Sequence, residues 1–255
     1  WRNPERINAG MTTSAAPAPA ERLFVALDTP DADAAARLAK SLKGVAGGVK
    51  LGNEFFTAHG PAGVARVAAE GLPVFLDLKF HDIPNTVAGA VKTALALKPF
   101  MLNVHASGGA AMMRAAAKAA AELGNIRPLV VAVTVLTSLD DDDLRAVGVR
   151  PPIVDQAVRL AKLARASDLD GVVCSAKEAM AIRGACGRAF RLVVPGIRPI
   201  WAAAEDHKRI VTPREAIALG ADYLVVGRPI TEARDPVAAA RRIIAEIATP
   251  ESPEP

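Results

Sequence analysis

Eight short β-branched or Leu-rich runs, alternating with eight Ala-rich amphipathic segments, predict a single closed (β/α)8 barrel of the α/β class, a TIM barrel, over residues 21–248. Two further observations point the same way. The runs are almost continuously apolar, as strands buried on both faces of a parallel sheet are. Charged residues recur where the runs end, at the rim on which this architecture carries its chemistry. The competing arrangement, an open doubly wound sheet, normally has a Gly-rich turn after its first strand, whereas that turn here is Ala26-Leu27-Asp28-Thr29-Pro30.

Each pair follows in order. The first strand, Leu23–Leu27, ends in Asp28, and Thr29-Pro30-Asp31 supplies helix-start chemistry for a helix over Asp31–Leu42. Gly48–Leu51 carries Lys50 and leads to a helix over Pro61–Glu70. Val74–Leu78 lies within "VFLDLKFHDIPNT", and Pro84 opens a helix to Leu97. Met101–Val104 is followed by His105 and a helix over Gly109–Leu123. Leu129–Val133 leads to Thr137 and Ser138, then a helix over Ile153–Ala166. Gly171–Val173 ends at Cys174 and precedes a helix over Lys177–Gly184. Leu192–Val194 leads to Gly196 and Arg198, and Thr212-Pro213 starts a helix to Leu219. Tyr223–Val226 leads to Gly227 and Arg228, with a final helix over Pro236–Ile247. Residues 1–20 lack a hydrophobic period and read as a disordered tail or a vector-derived leader ahead of Met11, and residues 249–255 as a loose C-terminal tail.

Composition narrows the function. The 255 residues are 51% hydrophobic and 23% charged, enough apolar surface for a large core. The net charge of +4 comes from 31 Lys and Arg spread along the chain, and only 4% of residues are aromatic, a poor basis for stacking bases; no nucleic-acid partner is expected. A basic excess gathered in a pocket suits an anionic small molecule instead. Cys174 and Cys186 form neither a disulfide framework nor a zinc motif, so a reducing compartment and a cytoplasmic address are expected, with no readable membrane span or secretory signal.

Asp77 and Lys79 are two apart on the third strand and therefore share a face, with Leu76 and Leu78 turned to the helices. That face is the barrel mouth, where pairing with one another and with Lys50 and Asp28 makes the charges tolerable; an inert ion-pair plug is the alternative. Loops after strands seven and eight, "VVPGIRP" and "LVVGRPI", form the usual phosphate corner of the fold, for which Gly196, Gly227 and Arg228 are the candidates. His81 and His105 read as hydrogen-bonded scaffolding, Asp140 to Asp143 as a solvated helix start and not a metal site, and Cys174 as packing.

The motifs "VALD", "VKLG", "DLKFHDIPNTV", "NVHASGG", "VTVLTS", "DGVVCSAKEA", "VPGIRP" and "VVGRPIT" follow one another between Leu23 and Ile247, and with them the chain resembles the bacterial-type orotidine 5'-phosphate decarboxylases. The resemblance implies decarboxylation of orotidine 5'-monophosphate to UMP in de novo pyrimidine synthesis, without metal or organic cofactor. It implies a catalytic network of Lys50, Asp77, Lys79 and Asp82, and a homodimer in which Asp82 and Ile83 reach the neighbouring site. Asp28 and Lys50 would hold the ribose, Thr86 would bind substrate within the long motif, Thr137 would contact it from the loop over the pyrimidine, and Arg198, Gly227 and Arg228 would hold the phosphate. Where the family usually has a phosphate-gripping glutamine, "AEDHKR" here places His207, whose imidazole could also donate a hydrogen bond. Magnesium-dependent sister barrels share the Asp-x-Lys-x-x-Asp pattern but need another acidic ligand at the rim. Strand two here offers Lys50, with Glu54 already past its end.

Overall fold

A computed structural model describes residues 17–202 and 211–249, so His207 and the outer parts of both predicted tails lie outside the described residues. The strands β1 (Leu23–Ala26), β2 (Gly48–Gly52), β3 (Val74–Phe80), β4 (Met101–His105), β5 (Leu129–Val133), β6 (Gly171–Val173), β7 (Arg191–Pro195) and β8 (Tyr223–Val226) close in sequence order into one parallel barrel, β8 pairing with β1. The helices are α1 (Ala32–Leu42), α2 (Asn53–Ala68), α3 (Pro84–Ala94), α4 (Gly109–Ala121), α5 (Asp141–Ala146), α6 (Ile153–Arg165), α7 (Ala176–Cys186), α8 (Pro213–Ala218), α9 (Arg228–Thr231) and α10 (Pro236–Ala248).

Helix starts obey the capping chemistry read from the sequence. Asp31 accepts from the Ala34 amide, and Thr212 forms a capping box with Glu215 ahead of Pro213. The acidic run is likewise a capped helix start, Asp140 and Asp143 bonding each other's backbone. Two expectations need correction. The second helix starts at Asn53, not Pro61: a helical stretch follows β2 directly and turns at Gly60, whose φ of 56° only glycine adopts readily, before Pro61 resumes it. The eighth strand is followed by an unforeseen short helix, α9, which begins at Arg228 itself.

Side chains alternate strictly between two cores. Outward residues such as Val25, Leu51, Leu76, Leu102 and Leu224 pack against the helices. Inward ones, Phe24, Phe75, Met101, Val131, Val193 and Tyr223 among them, fill the barrel, with Phe24 stacked on Phe100 at 5.5 Å and edge-on to Tyr223 at 5.7 Å. Toward the strands' C-terminal ends β2, β3 and β4 turn polar residues inward, Lys50, Asp77 and Asn103, while Ala26, Val133, Val173 and Val225 keep the other strands apolar there.

Candidate active site

The register sets Lys50 beside Ala26 and Phe75, and Asp77 beside Gly52, so Lys50 leaves its strand level with Phe75 and Asp77 stands one inward position further toward the mouth. Lys50 on β2 donates to Asp28 at 2.9 Å and pairs with Asp77 at 3.1 Å, and Asp77 accepts from Lys79 at 2.7 Å on its other oxygen. The result is an alternating chain, Asp28, Lys50, Asp77, Lys79, across the mouth. Its inner members are buried, while Asp28 is exposed over about half its side chain (54%). Burial works against the Lys50 charge, but Asp77 and Asp28 outweigh it and raise the Lys50 pKa above the ordinary lysine value.

This chain of charges lines a cavity of about 370 Å³ together with Thr137, Gly196, Arg198, Gly227 and Arg228. Two lysines and two arginines face only two carboxylates there, so the cavity favours an anion. A second hollow of about 290 Å³ continues past Arg198 and Arg228 to Trp201, which Arg242 covers at 4.7 Å.

The predicted residues do not all converge. Asp28, Lys50, Asp77, Lys79, Thr137, Arg198, Gly196, Gly227 and Arg228 line one cavity. Asp82, Ile83 and Thr86 are exposed on the loop and first turn of α3 and do not line it; Asp82 accepts from the Ile83 amide at 2.6 Å. His81 and His105 lie with ring centroids 5.3 Å apart, also outside the lining, and burial, followed by His81 and Lys79, lowers the His105 pKa. Glu54 is exposed on the first turn of α2, away from the cavity lining. The sequence reading missed Asn103 on β4, fully buried, which bonds both Asp77 and Lys79. Its signal was a lone amide at an inward position of an apolar strand.

Among the described residues no helix is long and apolar enough to cross a membrane. Residues 21–243 match the model of the orotidine 5'-phosphate decarboxylase / HUMPS family. The orotidine 5'-phosphate decarboxylase of Paramagnetospirillum magneticum is 56% identical over 229 residues, covering 88% of this chain and 97% of the relative. That of Rhodospirillum rubrum is 56% identical over 230 residues, covering 88% and 93%. The crystal structure of the Lactobacillus acidophilus orotidine 5'-phosphate decarboxylase superposes with a TM-score of 0.78 at 36% identity, over 92% of this chain and 100% of that one.

Proposed function

The chain belongs to the orotidine 5'-phosphate decarboxylase / HUMPS family, and on that premise we propose that it is a carboxy-lyase converting orotidine 5'-monophosphate to UMP in pyrimidine biosynthesis, using its own side chains alone. One observation carries the reading: the alternating Asp28, Lys50, Asp77, Lys79 chain and the cations Arg198 and Arg228 line one cavity. A nucleotide with a phosphate at one end and a carboxylated ring at the other needs both sets of charges in one cavity.

Arg198, Arg228 and the backbone around Gly227 hold the phosphate, Asp28 and Lys50 the ribose, and Thr137 contacts the substrate beside the ring, while Thr86, outside this chain's own cavity, contacts it in the neighbour's site. Breaking the bond from C6 to the carboxylate leaves an electron pair on C6 that the pyrimidine delocalises poorly. The Lys79 ammonium stabilises that pair and then delivers its proton to C6, carbon dioxide departs, and solvent returns a proton to the amine. Asp77 orients Lys79 through the 2.7 Å bond. Phosphate binding far from C6 supplies energy to order this cluster. The chain acts as a homodimer in the cytoplasm, with Asp82 and Ile83 completing the neighbour's site. Their exposure, 66% for Ile83, and their position outside the one-chain cavity support that arrangement.

An ultraviolet assay of orotidine 5'-monophosphate consumption, with and without EDTA, tests the reading. Wild type turns over unchanged by EDTA, and Lys79→Ala loses more than the roughly 10² to 10⁴ that a lone general acid supplies. EDTA-sensitive turnover, or near wild-type turnover by Lys79→Ala, refutes it.

A further inference from the structure

The β3–β4 ladder is irregular where the chemistry lies. Leu76 pairs with Leu102, but the next pair is Phe80 with Val104, so β3 advances four residues while β4 advances two. The surplus bulges, and within it Lys79 takes a φ of +52°, a left-handed conformation unfavourable for a residue with a side chain. A backbone held that way persists only where its surroundings overdetermine it.

Asn103 supplies the restraint. Its Oδ1 accepts the Lys79 backbone N–H at 2.7 Å, and its Nδ2 donates to Asp77 Oδ1 at 2.7 Å, the same oxygen that accepts from Lys79 Nζ. The carboxamide is the one group of this size that fits: a donor must face the carboxylate and an acceptor must face the amide, a few ångströms apart. The side chain is fully buried, so water cannot take over either role.

We propose that Asn103 is a positioning residue for the reaction: it pins the left-handed Lys79 backbone and the Asp77 carboxylate together, fixing where the Lys79 ammonium points. This rests on the reading of Lys79 as the group acting at C6. Asn103 itself does not line the cavity.

The test uses two variants, each compared with wild type. Asn103→Leu removes both bonds, so kcat falls about 10- to 100-fold, while KM stays within about threefold because the cavity-lining contacts remain. The Lys79 amide loses its protection against hydrogen exchange, whereas the Phe100 and Leu129 amides, bonded across the ladder to Val74 and Phe100, keep theirs. Asn103→Asp is isosteric and keeps the acceptor for Lys79, but it sets a second carboxylate against Asp77. Facing position 103 are Asp77 and Lys79 from β3 and Lys50 behind Asp77, with His105 and His81 beyond. The two carboxylates favour a shared proton, which restores the donor as pH falls. The variant-to-wild-type ratio of kcat therefore climbs about tenfold from pH 8 to pH 5. A purely structural role leaves that ratio flat. A flat ratio, or a Lys79 amide still protected in Asn103→Leu, overturns the proposal; should Asn103→Leu not fold, the ratio for Asn103→Asp decides alone. If wild type fails to consume orotidine 5'-monophosphate, the functional reading falls, and the Lys79 amide still decides for or against the restraint.

Discussion

Replacing Gly52 by alanine reaches the charged cluster without altering a single charge. Gly52 ends β2 with φ of −100°, extended backbone that alanine adopts freely, so the change brings no conformational strain. A Cβ there would sit 3.0 Å from Lys50 Nζ, 3.2 Å from Asp28 Oδ1 and 4.0 Å from Asp77 Oδ2. The first two contacts fall below the roughly 3.5 to 4.0 Å at which nonbonded heavy atoms attract. Lys50 cannot simply swing away, because it is buried and held by both carboxylates. The pair must instead move aside by a few tenths of an ångström. A displacement of about 1 Å in a reacting assembly costs on the order of 100-fold, so this one should lower kcat/KM for orotidine 5'-monophosphate about tenfold. Stability should change little, since Gly52 is only the N-cap of α2 and an N-cap exchange of this kind costs about 1 kcal/mol, or roughly 2 to 4 °C in Tm. Steady-state kinetics beside a thermal melt separates the two effects. Wild-type kcat/KM in Gly52→Ala would show that the position of Lys50 and Asp28 is not coupled to catalysis, and would remove both from the site.

Three other outcomes are expected. Arg228→Ala loses at least about tenfold in kcat/KM for the nucleotide, from charge-assisted bonds each worth about 1.5 to 3 kcal/mol before solvent screening, but little for orotidine, which has no phosphate; equal losses on both substrates would assign Arg228 to the scaffold. Mixing inactive Asp82→Ala with inactive Lys79→Ala restores up to about a quarter of wild-type activity, because half of randomly exchanged dimers carry one intact site; no recovery after verified subunit exchange places Asp82 in its own chain's site. Glu178 caps α7 by accepting from Ser175, and burial, partly offset by that bond, pushes its pKa up to about 7. A raised carboxyl pKa means that the folded state holds the proton longer than the unfolded one, so Glu178 makes unfolding free energy fall as pH rises from about 4.5 to about 7, by at most about 3 kcal/mol. Glu178→Gln should flatten that part of the stability curve in urea titrations, and an unchanged slope would show that Glu178 is not its source.

Much of the fold and half of the site follow from alternation alone. A strand buried on both faces gives a run of apolar residues with no visible break until it leaves the barrel core, so Asp28, Lys50 and Asp77 marked the mouth before any coordinates were known. The same period explains the miss at Asn103. One amide inside "MLNVH" does not end a run as a charge does, yet it stands two residues past Met101 on the inward face, level with the polar layer. Asp82, Ile83 and Thr86 were legible only through family motifs, because one chain gives them no cavity to line.

Lys79 is the subtler case. Ideal pleating puts it on the same face as Asp77, and the two do meet at 2.7 Å, but the strand between them is not ideal. Residue pattern reports side-chain polarity and not the sign of φ, so a left-handed lysine cannot be read from "DLKFH". Pro73 bonds to β2 and Val74 to β4, so a regular strand would turn the Lys79 N–H toward β2 and let the side chain follow the pleat. The bulge turns that N–H to the Asn103 carboxamide on β4 instead, and with it ties the direction of the ammonium to the carboxylate that Lys50 also holds. Three charged or polar side chains on three neighbouring strands thus set the orientation of one amine, and moving any of them should move it.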